Sequence, residues 1–151
     1  MSELLTTEHY ALTLDTVVAY LERLGIAFEL DRVNGTPVIR SGWRFDAGSA
    51  ALLVSVSDSA NDTTRLEITC ATQERYPDRI EEVMTLLNER NRERAFARSV
   101  DGEGVVYLEY VGFYPMGCPF PQSVFEVVFG GLLLQFEEDY NALEAGRLAE
   151  N

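Results

Sequence analysis

The chain has 151 residues, a formal net charge of −13 and a hydrophobic content of 46%. This length predicts one domain over residues 1–151, large enough to bury about 68–70% of its unfolded surface without a disulfide or a metal. The polar residues 1–10 do not resemble a signal peptide, and no apolar run reaches the roughly 18–20 residues that a membrane helix needs. A cytoplasmic protein without membrane association is therefore expected.

The charge also narrows the class of partner. An acidic chain repels nucleic acid phosphates at long range, so no direct nucleic-acid binding is expected. The same charge favours a protein partner that is basic or nucleic-acid-associated.

The N-terminal third predicts a helix followed by a hairpin. Apolar residues recur at helical spacing from Leu14 to Leu24, with Thr13 as a plausible N-cap and Gly25 at the end. Ile26–Val33 and Pro37–Arg40 then flank Asn34-Gly35, which is a favoured pair for a tight hairpin turn.

The middle of the chain predicts two more strands. The glycine-rich stretch Ser41–Ser49 is ambiguous from sequence alone. Residues 52–57 and 66–71 alternate in polarity, which predicts an antiparallel pair with one covered face, joined by a turn or loop over Asp58–Thr64.

The C-terminal half predicts helix, two strands and helix. A second helix starts at Tyr76-Pro77-Asp78 and stops near Arg94, because residues 96–100 and 105–111 flank another hairpin turn at Asp101–Gly104. A third helix covers about 122–145, and its apolar middle predicts burial on more than one side. Gly130-Gly131 in that helix predicts either close approach of another backbone or a kink.

These elements predict an α+β fold, with a single antiparallel sheet of five or six strands and three helices mainly on one face. The chain order is helix, strands, helix, two strands, helix. Residues 1–11 and 146–151 are expected to be loose segments at the two ends of the domain.

The sequence contains no pattern typical of catalysis or metal binding. His9 is the only histidine and lies in the polar N-terminal segment, and neither a cysteine–histidine ligand spacing nor a phosphate-binding loop is present. Cys70 is predicted to be a core residue. Cys118 is predicted to pack within a proline-rich loop, with a reactive thiol as the alternative. A non-enzymatic protein with no catalytic residues, metal or cofactor is expected.

Three other polar groups leave alternatives. Asp58, Asn61 and Asp62 favour a solvated turn over a weak calcium site. Asn88 and Asn91, three residues apart on one helix face, either tie the helix end to the next strand or contact a partner. The arginines at this helix end favour a solvated, ion-paired cluster over a nucleic-acid site; they are Arg90, Arg92, Arg94 and, just beyond, Arg98.

The segment LLNERNRERAFARSVDGEGVVYLEYVGF, with Asn88 and Asn91 before two strands and a glycine turn, resembles the YbjN-like family of bacterial proteins. LERLGIAFEL in the first helix is also similar to the start of that family, and the likeness covers about residues 12–143. The resemblance implies a fold similar to class I type III secretion chaperones, which are small, acidic, dimeric proteins that hold an unfolded segment of a client. It supplies no catalytic residues.

The expected function is therefore a homodimeric, chaperone-like or regulatory protein that engages a partner protein. The alternative is an adaptor or sensory-transduction regulator that binds a small ligand or a DNA-associated protein. The resemblance places the dimer or partner contact on the second helix, because class I chaperones use the equivalent helix. Burial of the apolar residues of that helix in the chain's own core is the other interpretation. The predicted contact residues are Ile80, Val83, Met84, Leu87, Asn88 and Asn91.

Overall fold

The computed structural model describes residues 11–150, and side chains over residues 11–147. The chain forms a six-stranded antiparallel sheet in the order β1-β2-β3-β4-β6-β5, together with three α-helices. This arrangement confirms the predicted α+β class and element order. The elements are α1 Leu14–Arg23, β1 Glu29–Val33, β2 Thr36–Phe45, β3 Gly48–Ser59, β4 Thr63–Thr72, α2 Ile80–Glu93, β5 Ala97–Val100, β6 Val106–Pro115 and α3 Gln122–Glu150.

Local sequence signals place α1 and the first hairpin. The Thr13 hydroxyl accepts a hydrogen bond from the Thr16 amide at 3.1 Å and caps α1, as predicted. Gly25, beyond the helix end, has φ 73°. Asn34 and Gly35 have φ values of 52° and 81°, the left-handed conformation that a tight turn between β1 and β2 requires.

The ambiguous stretch Ser41–Ser49 is the second half of β2, a turn and the start of β3. One of its glycines is required by packing against α3. A Cβ atom on Gly48 would lie 2.5 Å from the hydroxyl oxygen of Tyr140. That hydroxyl donates a hydrogen bond to the Ser49 carbonyl at 2.9 Å, so the glycine marks a close approach rather than a loose loop.

The main core lies between one face of the sheet and two helices, α1 and α3. On β4, Leu66, Ile68 and Cys70 are fully buried, and the residues between them point to the opposite face. The helices contribute Tyr20 and Phe136, among others, to the same core. A second, smaller core joins α2 to the sheet and α3. The opposite face of the sheet carries no helix in the described part of the chain.

α3 differs from its prediction in two ways. It continues to Glu150, whereas residues from 146 onward were expected to be loose. Its middle is buried on one side only, since Val127 is 75% exposed and Leu134 is 60% exposed. The expectation of burial on more than one side is therefore wrong for the single chain. The loose segment predicted over residues 1–11 lies almost entirely outside the described residues.

The glycine pair of α3 likewise lacks the expected neighbour. A Cβ atom on Gly130 would have no atom within 4 Å, and one on Gly131 would meet only the Phe96 ring, at 3.8 Å. The predicted approach of another backbone does not occur within the described residues.

Candidate protein-interaction surfaces

The predicted contact stripe of α2 is divided between the core and the surface. Val83 and Leu87 are buried in the second core, which is completed by Tyr76, Val106 and Leu143. These two residues therefore follow the alternative interpretation, in which the chain covers its own stripe. Ile80 is half-buried, whereas Met84 and Asn88 are exposed. Asn91 is exposed as well, so a partner can reach Met84, Asn88 and Asn91 in the observed fold.

Asn91 ties the end of α2 to β5. Its Nδ2 donates to the Arg98 carbonyl at 3.1 Å, and its Oδ1 accepts from the Arg98 amide at 2.8 Å. A side-chain amide thus pairs with both backbone polar groups of one residue, as a neighbouring strand would. Asn88, one turn earlier, makes no hydrogen bond within the described residues. The predicted tie between the helix end and the next strand accounts for Asn91. Contact with a partner remains a prediction for Asn88.

The predicted arginine cluster is not a single solvated patch. The side chain of Arg98 is 0% exposed, and its Nε donates to Asp139 Oδ2 at 2.6 Å. Its remaining donors reach Gln135 Oε1 at 2.7 Å and the backbone carbonyls of residues 95 and 96. Arg90 is mostly covered and places Nη1 3.1 Å from Asp139 Oδ1. The two arginines and Asp139 form a buried network that joins α2, β5 and α3.

The two ion pairs in this network differ in hydrogen-bond geometry. Arg98 and Asp139 share an aligned hydrogen bond, whereas the close Arg90 and Asp139 atoms have no hydrogen-bond partner. Burial raises the pKa of Asp139, and the charges of both guanidinium groups act against that rise. The remaining arginines stay at the surface: Arg92 is exposed, and Arg94 lies 3.5 Å from Glu93.

A shallow groove lies where β1 stops pairing with β2. The register ends at the pair Glu29–Arg40, although β2 continues to Phe45. The outer edge of Gly42–Phe45 therefore has no strand partner in the described chain. The groove has a volume of about 600 Å³. Its walls include Ala27, Phe28, Glu29, Arg40, Ser41, Gly42, Trp43, Arg44, Ala51 and Gln73.

The groove combines backbone, cationic and aromatic character. The Ser41 hydroxyl donates to the Ala27 carbonyl at 2.7 Å and closes one end. Arg40 is paired with Asp31 at 3.1 Å, whereas Arg44 is exposed and makes no ion pair with a described residue. Trp43 is held edge-on against Phe129, with ring centroids 6.2 Å apart. An unpaired strand edge of this kind can accept an extended chain through backbone hydrogen bonds.

The two cysteines have opposite environments. Cys70 is fully buried, as predicted, and burial raises the pKa of its thiol to about 12, which suppresses the reactive thiolate. Cys118 is exposed, so its predicted packing within the loop is wrong. The tight turn over Pro115–Cys118, with its amide hydrogen bond of 3.1 Å, leaves the side chain outside the core. Whether this accessible thiol is reactive remains a prediction.

The described residues contain no group of three or more His, Cys, Asp or Glu side chains that could hold a metal ion. Asn61 and Asp62 form the β3–β4 turn with φ values of 60° and 54°. His9 lies outside the described residues. None of the helices in the described chain combines the length and apolarity needed to cross a membrane.

The buried Arg98–Asp139 pair was missed from sequence, although a signal was present. Asp139 lies on the same helical line as Phe136 and Leu143, and Arg98 has the same strand parity as Val100. Both positions predict burial of the side chain, but neither position predicts which distant residue it will meet. Comparison of the sequence with protein-family models and with curated proteins gives no match.

Proposed function

We propose that this chain is a non-enzymatic, chaperone-like homodimer of the cytoplasm that holds an extended segment of a partner protein. The observation that carries the proposal is the edge of β2 beside the groove, which no strand among residues 11–150 pairs beyond Arg40. The resemblance to the YbjN-like family supports the same activity. So does the strong negative charge, which keeps a complex with an unfolded client soluble.

The geometry of the edge suits a short extended segment. Gly42–Phe45 extends about 13 Å at the usual strand rise of roughly 3.3 Å per residue. A segment placed there would continue the sheet in the position that β1 leaves beyond Arg40. Gly42 leaves the approach open, since a Cβ atom there would meet no atom within 4 Å. Backbone hydrogen bonds would provide affinity for many sequences, as a chaperone requires.

The charges favour a client of mixed character. At long range, the net charge of −13 attracts a basic partner. Within the groove, the guanidinium of Arg44, which pairs with no described carboxylate, favours an acidic side chain or a carbonyl oxygen in the bound segment. A segment with an acidic residue inside a basic protein satisfies both requirements.

Suppression of client aggregation tests the proposal. Light scattering of reduced insulin, whose B chain aggregates, would be followed with the wild-type chain and with Gly42→Lys. A lysine at this position blocks an added strand with a charged side chain. Gly102→Lys is the matched control, because it adds the same charge at another open position, in the β5–β6 turn outside the groove.

The proposal predicts suppression by the wild type and by Gly102→Lys, and its loss in Gly42→Lys. Amide hydrogen exchange should show client-dependent protection of residues 42–45. No suppression by the wild type, or equal suppression by both variants, would contradict it. Binding of a folded protein or of a small ligand instead would favour the adaptor alternative. A small ligand would fit, because the groove volume lies within the range of roughly 300–1,000 Å³ that is usual for small-molecule sites.

A further inference from the structure

The outer side of α3 carries an uncovered apolar line. Val127 is 75% exposed and Leu134 is 60% exposed. They lie seven residues apart, nearly two helical turns, and so point in almost the same direction, opposite to the buried Phe125 and Phe136. Val124, which is 38% exposed, widens the line at its N-terminal end. Exposed apolar residues aligned in this way are typical of a contact surface.

Gly130 and Gly131 lie between the two exposed residues, and no close contact with another described residue requires a glycine at either position. Glycine weakens a helix interior relative to alanine. A Cβ atom at position 130 would stand in open space, and one at 131 would make only ordinary contact with a ring. The pair lowers the helix surface at the centre of the apolar line, where a second backbone can approach closely.

We propose that a second copy of this chain packs antiparallel on this line, with the two-fold axis between Gly130 and Gly131. Val127 and Leu134 are equidistant from that point along the helix. A two-fold axis there places Val127 against Leu134 of the partner subunit, and the same contact occurs twice, as an isologous interface requires. The inference rests on the proposed homodimer and assigns its surface.

The charges on α3 favour an antiparallel pair. The same axis brings Glu137 and Glu138 opposite the first turn of the partner helix. That turn contains no acidic residue and is the positive end of the helix dipole. Glu126 comes opposite Gln135 of the partner subunit. A parallel pair in register would instead place each of these glutamates against its own copy, which is repulsive.

The first experiment measures mass in solution. Sedimentation velocity and light scattering on the wild type should give twice 16.9 kDa. Val127→Arg/Leu134→Arg should give the monomer with an unchanged far-UV CD spectrum, because both side chains are exposed. Met84→Arg is the matched control, since Met84 is 48% exposed on α2, the contact helix that the family resemblance implies. It should remain dimeric.

The outcomes separate the surface from the oligomeric state. If the double variant remains a dimer, the α3 surface is wrong and the proposed homodimer stands. A dimer lost only in Met84→Arg would overturn the α3 surface in favour of α2. A wild type that is monomeric at all micromolar concentrations would overturn both.

Disulfide trapping tests the antiparallel register with smaller changes. In a Cys118→Ser background, Val127→Cys and Leu134→Cys are prepared separately. Each variant is oxidised alone, and a mixture of the two variants is oxidised in a third sample. The antiparallel pair predicts covalent dimers only in the mixture, because Cα atoms must come within about 7 Å to form the bond. Covalent dimers of either variant alone would indicate a parallel pair. No covalent dimer in any sample would overturn the register.

Discussion

Replacing Asp139 by asparagine should strongly destabilise the protein. The change preserves the shape of the side chain and removes the carboxylate that contacts both Arg98 and Arg90. Arg98 cannot turn toward solvent, because its side chain is 0% exposed. The substitution therefore leaves a buried guanidinium without a counter-charge.

The magnitude follows from what the variant retains. Removing one partner of a buried ion pair costs about 3–5 kcal/mol. The new side chain still offers one acceptor oxygen, and Gln135 continues to accept from Arg98. The loss should therefore lie at the lower end, about 3 kcal/mol. For a domain of this size, that corresponds to a fall in Tm of roughly 6–12 °C.

Urea unfolding at pH 7, followed by circular dichroism, measures the free energy of unfolding of both proteins. Glu138→Gln is the matched control, with the same chemical change at the next residue. Its carboxylate is half-exposed and 4.0 Å from Arg94, so less than about 0.5 kcal/mol should be lost. A loss below about 1 kcal/mol for Asp139→Asn would contradict this expectation, since a buried charge without a counter-charge destabilises the fold by more than that.

Three further predictions concern the hairpin turn and the thiols. A hydrogen bond from the Val105 amide holds the pKa of Asp101 below its usual value. The ionised Asp101 carboxylate therefore contributes its full stabilisation above about pH 4, and this stabilisation is lost as pH falls through the lowered pKa. Asp101→Asn should therefore flatten the acid limb of a stability–pH curve, and an unchanged limb would contradict this. Gly104→Ala should cost about 1–3 kcal/mol in urea unfolding, because φ is 85° and the new Cβ would lie 2.4 Å from the Tyr76 carbonyl carbon; a neutral effect would refute the close approach. A thiol reagent should modify Cys118 in the folded protein and the other cysteine only on unfolding, and two rapid equivalents would show that the second thiol is accessible.

The helices and hairpins were accessible from sequence because their signals are local. The Thr13 cap, the Asn34-Gly35 turn and the Asp101–Gly104 turn depend on residues that are close in the chain. The stretch Ser41–Ser49 could not be assigned, because its glycines resemble loop signals. One of them is needed for contact with Tyr140, which is remote in sequence.

The candidate surfaces were less predictable, because periodicity identifies a covered face without identifying what covers it. The stripe of α2 predicted burial of Val83 and Leu87, and the sequence left open whether a partner or the chain itself buries them. The chain itself buries them, because both residues pack in the second core together with Leu143 of α3. In α3 the reverse holds, since the fold covers only one side of a helix that is apolar nearly all round.

Residue spacing and short-range turn chemistry were enough to predict the α+β class and the order of the elements, because both depend on residues that are close in the chain. Contacts between distant residues depend instead on how the elements pack. Arg98 and Asp139 are 41 residues apart, and nothing local to either residue predicts that they form one buried ion pair. The free edge of β2 also depends on where β1 stops pairing, which is decided by how the whole sheet assembles.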